Sequence, residues 1–328
     1  MSIVFMGSPD FAVISLQKML TAGLPVTAVV SQPDRPRGRG RQLQPTAVSS
    51  FALEQKLPLF RPHRLRSAET GRQLATFDPE LFLVVAYRIL PPDLLKLPRR
   101  GSINLHGSLL PRFRGAAPIQ HALLAGETMT GLSTFLLDEQ VDTGGILLQE
   151  ETPIRPDDDY GSLQERMAVQ GAELLLRTVQ LYLAGELSPI AQAQEGSSTA
   201  PRIGPLDRLL DWDHSAVSLK NRIRALAPTP GAFCQLDEDQ LGVFAAEVIS
   251  RESTPQPGVI LAADKRGILV GCGVDALLLK EVQLKGRKRM TAASFLNGHS
   301  LHPGARLGNG MIIDKKQYET GLITGRKK

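Results

Sequence analysis

The sequence predicts an α/β, Rossmann-like fold, with a mostly parallel sheet carrying helices on both faces and a smaller β domain after it. In the first half, continuous apolar runs alternate with segments whose apolar residues recur at helical spacing, a pattern typical of parallel strands buried on both faces. In the last third, short apolar runs alternate with turns, which favours a small barrel or sandwich. A chain of 328 residues has room for about two such domains.

The elements of the first half follow directly from these patterns. Each predicted strand is a short apolar run, and each predicted helix has apolar residues three and four positions apart. The predicted strands are Ile3–Met6, Val26–Val30, Leu81–Ala86, Ile103–His106, Leu132–Leu137 and Ile146–Gln149, and the predicted helices are Phe11–Leu20, Thr46–Gln55 and Ala116–Leu124.

A long helix over Ser162–Ala184 closes this first domain. Ser162 and Glu165 have the spacing of a capping box, and apolar residues follow at helical spacing. The composition then shifts to Ser, Ala, Gln, Gly and Pro, which is typical of a linker. We therefore predict a first domain over residues 1–185 and a linker over residues 186–206.

The second domain is predicted over residues 207–308, with a weakly ordered basic tail over residues 309–328. It opens near Trp212, which we expect to anchor the linker on a domain surface, and continues with a helix over Ala216–Leu226. The predicted strands are Ala232–Leu236, Leu241–Ile249, Gly258–Ala262, Ile268–Cys272 and Ala276–Val282.

Positive charge is concentrated in three short segments. The formal net charge is +5, but residues 32–45 hold four arginines against one acidic residue, residues 280–290 hold five basic residues against one, and residues 309–328 hold five against two. The rest of the chain is therefore net acidic. Basic clusters on an acidic body indicate a polyanionic partner such as nucleic acid. Solvated loops without a partner are the alternative.

Several classes of protein are disfavoured by composition. Two cysteines cannot form a disulfide framework, and no His, Cys, Asp and Glu spacing suggests a metal site. No uncharged apolar run reaches the roughly 18 residues of a membrane helix, and the first residues lack the pattern of a signal peptide. We therefore expect a cytoplasmic protein without a membrane segment or a bound metal.

The densest group of chemistry-bearing residues lies in residues 101–118. Asn104 and His106 are two positions apart on a predicted strand, so their side chains share one face. They lie at its carboxyl end, where open α/β sheets bind ligands. Asp142 follows a later strand, so the amide, the imidazole and the carboxylate could converge there. A histidine that only packs at a strand end is the alternative.

Such a trio suits acyl transfer to an amine. The imidazole can manage the proton of the attacking nitrogen, and the amide N–H together with a protonated imidazole can stabilise an oxyanion. The carboxylate can hold the imidazole tautomer or order a water. A serine or cysteine nucleophile is not needed if the amine attacks the acyl donor directly.

Two motifs carry a resemblance to a known family. Asn-Leu-His-Gly-Ser-Leu-Leu-Pro-x-x-x-Gly at 104–115 and Asp-x-x-x-Asp-Thr-Gly at 138–144 resemble the signature of the formyltransferases that use 10-formyltetrahydrofolate. The resemblance implies that this folate is the co-substrate and that Asn104, His106 and Asp142 are catalytic. It also implies a set of folate-binding residues: Arg88, Ile89 and Leu90, through their backbone, and the turn Ser108, Leu109, Leu110 and Pro111.

Three further features resemble the branch of this family that formylates methionyl initiator tRNA. They are the opening Phe-Met-Gly-Ser-Pro-Asp-Phe-Ala, the basic segment Gln32–Arg41, and the C-terminal motifs Ile223-Arg-Ala-Leu, Pro228-x-Pro-Gly-Ala232, Gly286-x-Lys288-x-Met290 and Phe295-Leu-x-Gly298. The resemblance implies that the second domain is an OB-like β-barrel and that the protein acts in translation initiation, as a monomer. It assigns tRNA contacts first to Arg39, supported by Arg35, Arg37 and Arg41, and then to Arg202, Lys285, Arg287 and Lys288.

Other functions remain open at this point. Enzymes that formylate sugar nucleotides or glycinamide ribonucleotide, and modules that hydrolyse or oxidise formyltetrahydrofolate, share the Asn/His/Asp core but do not explain the basic segment beside this second domain. A nucleic-acid-binding protein with an inactive enzyme core would leave the trio without a purpose. A dinucleotide-dependent oxidoreductase fits worst, because Gly7-Ser-Pro-Asp lacks the Gly-x-Gly-x-x-Gly turn.

Overall fold

The structure is a computed structural model that describes residues 1–37, 42–251 and 256–309. Its internal contacts divide the chain into two units. The first unit comprises Met1–Ile119, Thr128–Pro156 and Ser162–Arg202, and the second comprises Gln120–Glu127, Asp157–Gly161 and the described chain from Ile203 onward. The predicted tail beyond Asn309 lies outside the described residues.

Strands and helices alternate through the first part of the chain. In order, they are β1 (Ile3–Gly7), α1 (Asp10–Thr21), β2 (Val26–Val30), β3 (Arg35–Arg37), β4 (Gln42–Gln44), α2 (Ala47–Glu54), β5 (Leu59–Phe60), α3 (Ala68–Ala75), β6 (Leu81–Val85), α4 (Pro92–Leu95), β7 (Ser102–His106), α5 (Pro118–Leu124), β8 (Met129–Leu136), β9 (Ile146–Pro153) and α6 (Tyr160–Ala184). Every strand predicted in this half is present, with ends that differ by up to four residues.

The first unit is built on a seven-stranded sheet in the order β5-β2-β1-β6-β7-β8-β9. Pairing is parallel from β5 to β7 and antiparallel from β7 through β8 to β9. The prediction of a mostly parallel sheet is confirmed. β8 and β9 pair antiparallel because residues 137–145 connect them directly, and such a short connection cannot return a chain to a parallel position.

Burial explains why the central strands read as continuous apolar runs. All five residues of β1 and of β6 are buried, and α1 covers the sheet with Ala12, Leu16 and Met19.

Thr46 caps α2, since its hydroxyl accepts a hydrogen bond from the Ser49 amide. The predicted capping box of the long helix is wrong. α6 begins at Tyr160, so Ser162 lies within the helix.

The basic segment after β2 differs from a plain loop. β3 and β4 pair antiparallel, with Arg35 opposite Gln44 and Arg37 opposite Gln42. We call residues 35–44 the basic arm. Its turn, with Arg39 and Arg41, lies outside the described residues.

The second unit contains an antiparallel sheet in the order β10-β11-β14-β13-β12, with β15 beside β14. Its elements are a short 3-10 helix at Leu206–Arg208, α7 (Ala216–Leu226), β10 (Ala232–Leu236), β11 (Asp239–Ile249), β12 (Ile260–Asp264), β13 (Gly267–Gly271), β14 (Ala276–Leu284), β15 (Met290–Thr291) and α8 (Ala292–Leu296). Among the described residues, continuous strand pairing does not close this sheet. Isolated bridges from Gly308 to Gln235 and from Arg306 to Val259 link its two edges.

The core of the second unit corrects one expectation. Trp212 is fully buried among the apolar side chains of this sheet and α7. It therefore forms part of a domain core, where we expected it to anchor a linker on a surface. Cys234 and Cys272 are buried in the same core as free thiols, and burial raises the pKa of each to about 12. These thiols do not form a disulfide.

Candidate active site

The carboxyl end of β7 supplies two polar side chains to the corresponding edge of the sheet. Asn104 donates a hydrogen bond from Nδ2 to the Val84 carbonyl oxygen on neighbouring β6, over 3.1 Å. This bond fixes the plane of the amide and leaves its second N–H and its oxygen available to a ligand. His106 is only 6% exposed and meets the ring of Phe135 edge-on, with 6.4 Å between centroids. Both side chains are held by the sheet itself.

The tautomer of His106 follows from its contacts. Its Nε2 lies 3.0 Å from the Phe113 carbonyl oxygen, which can only accept, so Nε2 carries a hydrogen. In the neutral ring, Nδ1 is then an acceptor. It faces Asp142 Oδ2 at 3.7 Å, which is too long for a direct hydrogen bond. A direct hydrogen bond between these two atoms would need a hydrogen on Nδ1 and a shorter distance.

Asp142 is held by backbone contacts on the turn between β8 and β9. Its Oδ2 accepts a hydrogen bond of 2.8 Å from the Gly115 amide, and its backbone has a φ of +55°. Asp138, the first aspartate of the motif, accepts from the Gln140 amide and the Thr143 hydroxyl and thereby closes the turn. The first aspartate therefore shapes the turn, and the second directs its carboxylate toward His106.

The turn at Ser108–Pro111 is held from two neighbouring strands. Ser133 on β8 donates to the Ser108 carbonyl at 2.7 Å and accepts from the Leu110 amide at 3.0 Å. Gln149 on β9 donates to the Leu110 carbonyl at 3.0 Å. The sequence reasoning missed Ser133 and Gln149. Ser133 could have been noticed in the sequence as a polar residue inside an apolar strand. In the structure its side chain is fully buried.

The segment Arg88–Leu90 follows β6 and exposes backbone. The Arg88 guanidinium donates to the carbonyls of Pro62 (2.7 Å) and His63 (3.2 Å), so this side chain holds the loop in place. Ile89 is 75% exposed, whereas Leu90 is buried. Within the described ranges, the backbone groups of Arg88, Ile89 and Leu90 make no hydrogen bond with other protein groups. They are therefore free to meet the donor–acceptor edge of a heterocycle.

A buried phenol lies beside this segment. Tyr87 packs under the Arg88 guanidinium, 5.3 Å from the ring centroid, and its hydroxyl accepts a hydrogen bond of 2.9 Å from Arg88. Burial raises the pKa of Tyr87, and the nearby Arg88 partly offsets that rise. The phenol therefore stays protonated at neutral pH and helps to hold Arg88 in place.

The basic residues predicted to contact RNA lie in separate parts of the chain. Arg35 is exposed on β3, and Arg202 is exposed at the end of the first unit. The exposed turn after β14 carries Lys285, Arg287 and Lys288. In the described part of the chain, these three have no ion-pair partner, whereas the adjacent Arg289 pairs with Glu281.

The segment predicted as a linker also reaches these loops. Gln192 and Ser198 hydrogen-bond to residues of the loops that hold His106 and Asp142. This attachment could not be predicted, because the composition of a polar segment rich in Ser and Gln does not depend on whether its polar groups are bonded to protein or to water.

Residues 1–37, 42–251 and 256–309 contain no group of three or more His, Cys, Asp or Glu side chains that could hold a metal ion. Their helices include none that is both long enough and apolar enough to cross a membrane.

Comparisons with known proteins relate both parts of the chain to one family. The formyl transferase model matches residues 1–179, and the model of the formyl transferase C-terminal domain matches residues 202–300. A methionyl-tRNA formyltransferase of Geobacter sulfurreducens is 44% identical over 315 residues, which cover 95% of this chain and 98% of the relative. That of Symbiobacterium thermophilum is 45% identical over 309 residues, covering 93% and 95%.

Solved structures share the fold at lower identity. An N-formyltransferase from Helicobacter canadensis, in complex with folinic acid and dTDP-3-aminofucose, has a TM-score of 0.63 at 17% identity and covers 84% of this chain and 98% of its own. HypX from Aquifex aeolicus, in complex with tetrahydrofolic acid, has a TM-score of 0.59 at 17% identity, covering 90% and 46%. At this identity the likeness concerns the fold.

Proposed function

Because this chain belongs to the methionyl-tRNA formyltransferase family, we propose that Asn104, His106 and Asp142 carry out its reaction at the carboxyl end of β7. The enzyme transfers the formyl group of 10-formyltetrahydrofolate to the α-amine of methionyl initiator tRNA. The site assignment is supported by the distance of 3.7 Å between His106 Nδ1 and Asp142 Oδ2 and by the position of Asn104, two residues before His106 on the same strand.

The proposed reaction is a direct attack of the amine on the formyl carbon. The ester to tRNA lowers the basicity of the methionyl amine, so more of it is neutral. As the new C–N bond forms, the amine loses a proton to His106 Nδ1, and the formyl oxygen becomes an oxyanion, which the free N–H of Asn104 and the positive charge on His106 stabilise. Asp142 assists by stabilising the protonated imidazole. The bond from carbon to the folate nitrogen then breaks, and His106 passes its proton to that nitrogen, which leaves as tetrahydrofolate.

The folate is proposed to bind between two loops. Arg88, Ile89 and Leu90 would read the pterin with their free backbone groups, and the turn Ser108, Leu109, Leu110 and Pro111 would contact the rest of the co-substrate. The bonds from Ser133 and Gln149 support this assignment, since they fix the turn before any ligand arrives.

The tRNA is proposed to bind through basic groups of both units. The basic arm, with Arg35, Arg37, Arg39 and Arg41, would contact its acceptor end, where arginine supplies phosphate contacts and stacking planes. Arg202, Lys285, Arg287 and Lys288 would contact the RNA backbone. We also propose that the enzyme works as a monomer in the cytoplasm, because each proposed group lies on one chain and translation starts there. The proposal involves no membrane.

The deciding experiment measures formyl transfer from 10-formyltetrahydrofolate to charged initiator methionyl-tRNA, with charged elongator methionyl-tRNA as the matched control. We expect rapid formylation of the initiator and little of the elongator. Absence of transfer to the initiator, with folate still bound, would contradict the choice of acceptor. It would redirect the search to small amines and amino sugars.

A further inference from the structure

Gln192 is the most heavily bonded side chain of the segment predicted as a linker. Its Nε2 donates to the carbonyl oxygens of Asp142 (2.9 Å) and Gly144 (2.8 Å). Its Oε1 accepts from Arg114, at 3.0 Å from Nε and 2.7 Å from Nη2. Both donors and both lone pairs of the amide are therefore used. One side chain joins the turn that carries Asp142 to the loop that carries Arg114.

The two loops joined by Gln192 are those that position the proposed catalytic groups. Phe113, immediately before Arg114, accepts the hydrogen bond from His106, and Gly115, immediately after it, donates to the Asp142 carboxylate. A shift of the Arg114 loop relative to the Asp142 turn would therefore change the 3.7 Å gap between imidazole and carboxylate.

The residues after Gln192 reinforce this attachment. The Arg114 amide donates to the Ser198 carbonyl at 2.9 Å, and the Ala200 amide donates to the Arg114 carbonyl at 2.7 Å. Gly115 has a φ of +130°, and a Cβ at this position would lie 2.5 Å from the Ala200 carbonyl oxygen. We call residues 192–200 the docked segment. It lies beside the loop that contains Arg114, and the two segments are joined by hydrogen bonds between their backbones.

Backbone conformation shows why such support is needed. Phe113 has a φ of +57° and Asp142 a φ of +55°, which is the left-handed region that side chains other than glycine rarely adopt. Such conformations persist where surrounding contacts over-determine them. Gln192 bonds to the Asp142 backbone itself and to the residue next to Phe113.

We propose that Gln192 is a positioning residue for formyl transfer. It acts through Asp142 and His106, by holding their two loops at the separation that proton transfer requires. The proposal rests on the catalytic roles proposed above for those two residues. It predicts that loss of the Gln192 amide lowers kcat and leaves the KM for folate and for tRNA nearly unchanged, because the docked segment does not include the residues proposed to bind either substrate.

The first test compares Gln192→Leu with Gln194→Leu in the full-length enzyme. Gln194 is an exposed glutamine of the same segment whose side chain makes no hydrogen bond in the described structure, so it is a matched control. We expect Gln192→Leu to lower kcat about 10- to 100-fold, the scale of a misplaced catalytic group, with each KM within about two-fold of wild type. Gln194→Leu should keep the wild-type kcat.

The second test separates positioning from a general structural role. In an Asp142→Asn background, the carboxylate that Gln192 helps to place has lost its charge. Gln192→Leu should then lower kcat by less than about two-fold, because the two substitutions remove the same function. An equal fold-loss in both backgrounds would overturn the proposal, as would an unchanged kcat in Gln192→Leu.

Gln192→Glu keeps the proposal testable if the leucine variant fails to fold. The carboxylate retains its bond to Arg114 but opposes the carbonyls of Asp142 and Gly144, so we expect a similar loss of kcat. Wild-type kcat in this variant would overturn the role of the amide donors. Absence of formyl transfer in the wild-type enzyme would overturn the proposed function as well, whereas a wild-type rate that both Gln192 variants retain would overturn only this inference.

Discussion

The two ring nitrogens of His106 have different roles, because one holds the ring in place and the other faces the proposed reaction. Nε2 is committed to the Phe113 carbonyl, while Nδ1 faces the Asp142 carboxylate across a gap. The first contact fixes the ring, and the second offers a place for a proton. The Ser108 hydroxyl and the Arg88 guanidinium, for comparison, both donate to backbone carbonyls.

Replacement of this ring should separate chemistry from recognition. We expect His106→Ala to lower kcat by about 10²- to 10⁴-fold, the range for loss of a general acid–base group. The dissociation constant for initiator tRNA should stay within about two-fold, because the proposed tRNA contacts lie elsewhere. Single-turnover formylation and filter binding would measure the two quantities. His302→Ala, at an exposed histidine of the second unit, is the control, and parallel losses of turnover and binding in His106→Ala would contradict the division.

At the scale of elements, the base of the basic arm is tied to the sheet. The Ser31 hydroxyl lies 2.6 Å from that of Thr46, so the segments on either side of the arm are joined by a hydrogen bond. Arg61, which follows β5, donates to both carboxylate oxygens of Asp34, at 2.7 and 2.9 Å. The arm therefore leaves the sheet from a fixed base, with Asp34 held beside its first strand.

We expect Arg61→Ala to raise the KM for initiator tRNA by about two- to five-fold, since an exposed ion pair contributes only about 0–1 kcal/mol. The KM for folate should not change. Steady-state kinetics with each substrate varied in turn would measure both. Restoration of tRNA use by the exchanged pair Asp34→Arg with Arg61→Asp would support orientation of the arm by this pair. Arg39→Ala should raise the same KM more strongly, because it removes a proposed RNA contact.

The elements that sequence could predict are those with a burial pattern. β10 and α7 have their predicted limits, because buried apolar residues recur in each at strand or helix spacing. α3 was not predicted, because Thr70 and Leu74 are its only buried residues. The pairing of β3 with β4 and the docking of Gln192 depend on hydrogen bonds between polar groups, which leave no apolar period in the sequence.

The candidate site could be predicted in part for the same reason. Asn104 and His106 lie two apart on a strand that was recognisable, so their shared face followed from the period of a strand. The support of the neighbouring loops by Ser133, Gln149 and Gln192, in contrast, joins positions that are distant in sequence. The spacing of residues in a single sequence does not indicate which of such distant positions will be in contact.

At the scale of the whole molecule, the proposed chemistry and the proposed RNA contacts are distributed unequally. The three residues proposed as catalytic lie in the first unit, whereas basic side chains occur in both. Contacts with phosphates release counterions, so RNA affinity that depends on the second unit should be sensitive to salt.

We expect the combined substitution of Lys285, Arg287 and Lys288 by alanine to reduce the slope of log K against log salt concentration by about 2 to 3. Each phosphate contact contributes about 0.7 to 0.9 to this slope. Titrations of initiator tRNA at several salt concentrations would measure it. Arg289→Ala is the matched control, because this neighbouring arginine pairs with Glu281 and packs on Phe244, and its slope should match wild type. An unchanged slope in the triple variant would remove this turn from the RNA interface.

The attachment of the docked segment also determines how this catalytic unit could be recombined with other acceptor-recognition modules. A junction placed where the long helix ends, at Ala184, would exchange Gln192 and Ser198–Ala200 together with the module and leave the active-site loop to an unrelated sequence. A junction placed after Arg202, where the first unit ends, would transfer the complete set of contacts. The segment to be transferred with the catalytic unit therefore extends beyond the end of its last helix, to Arg202.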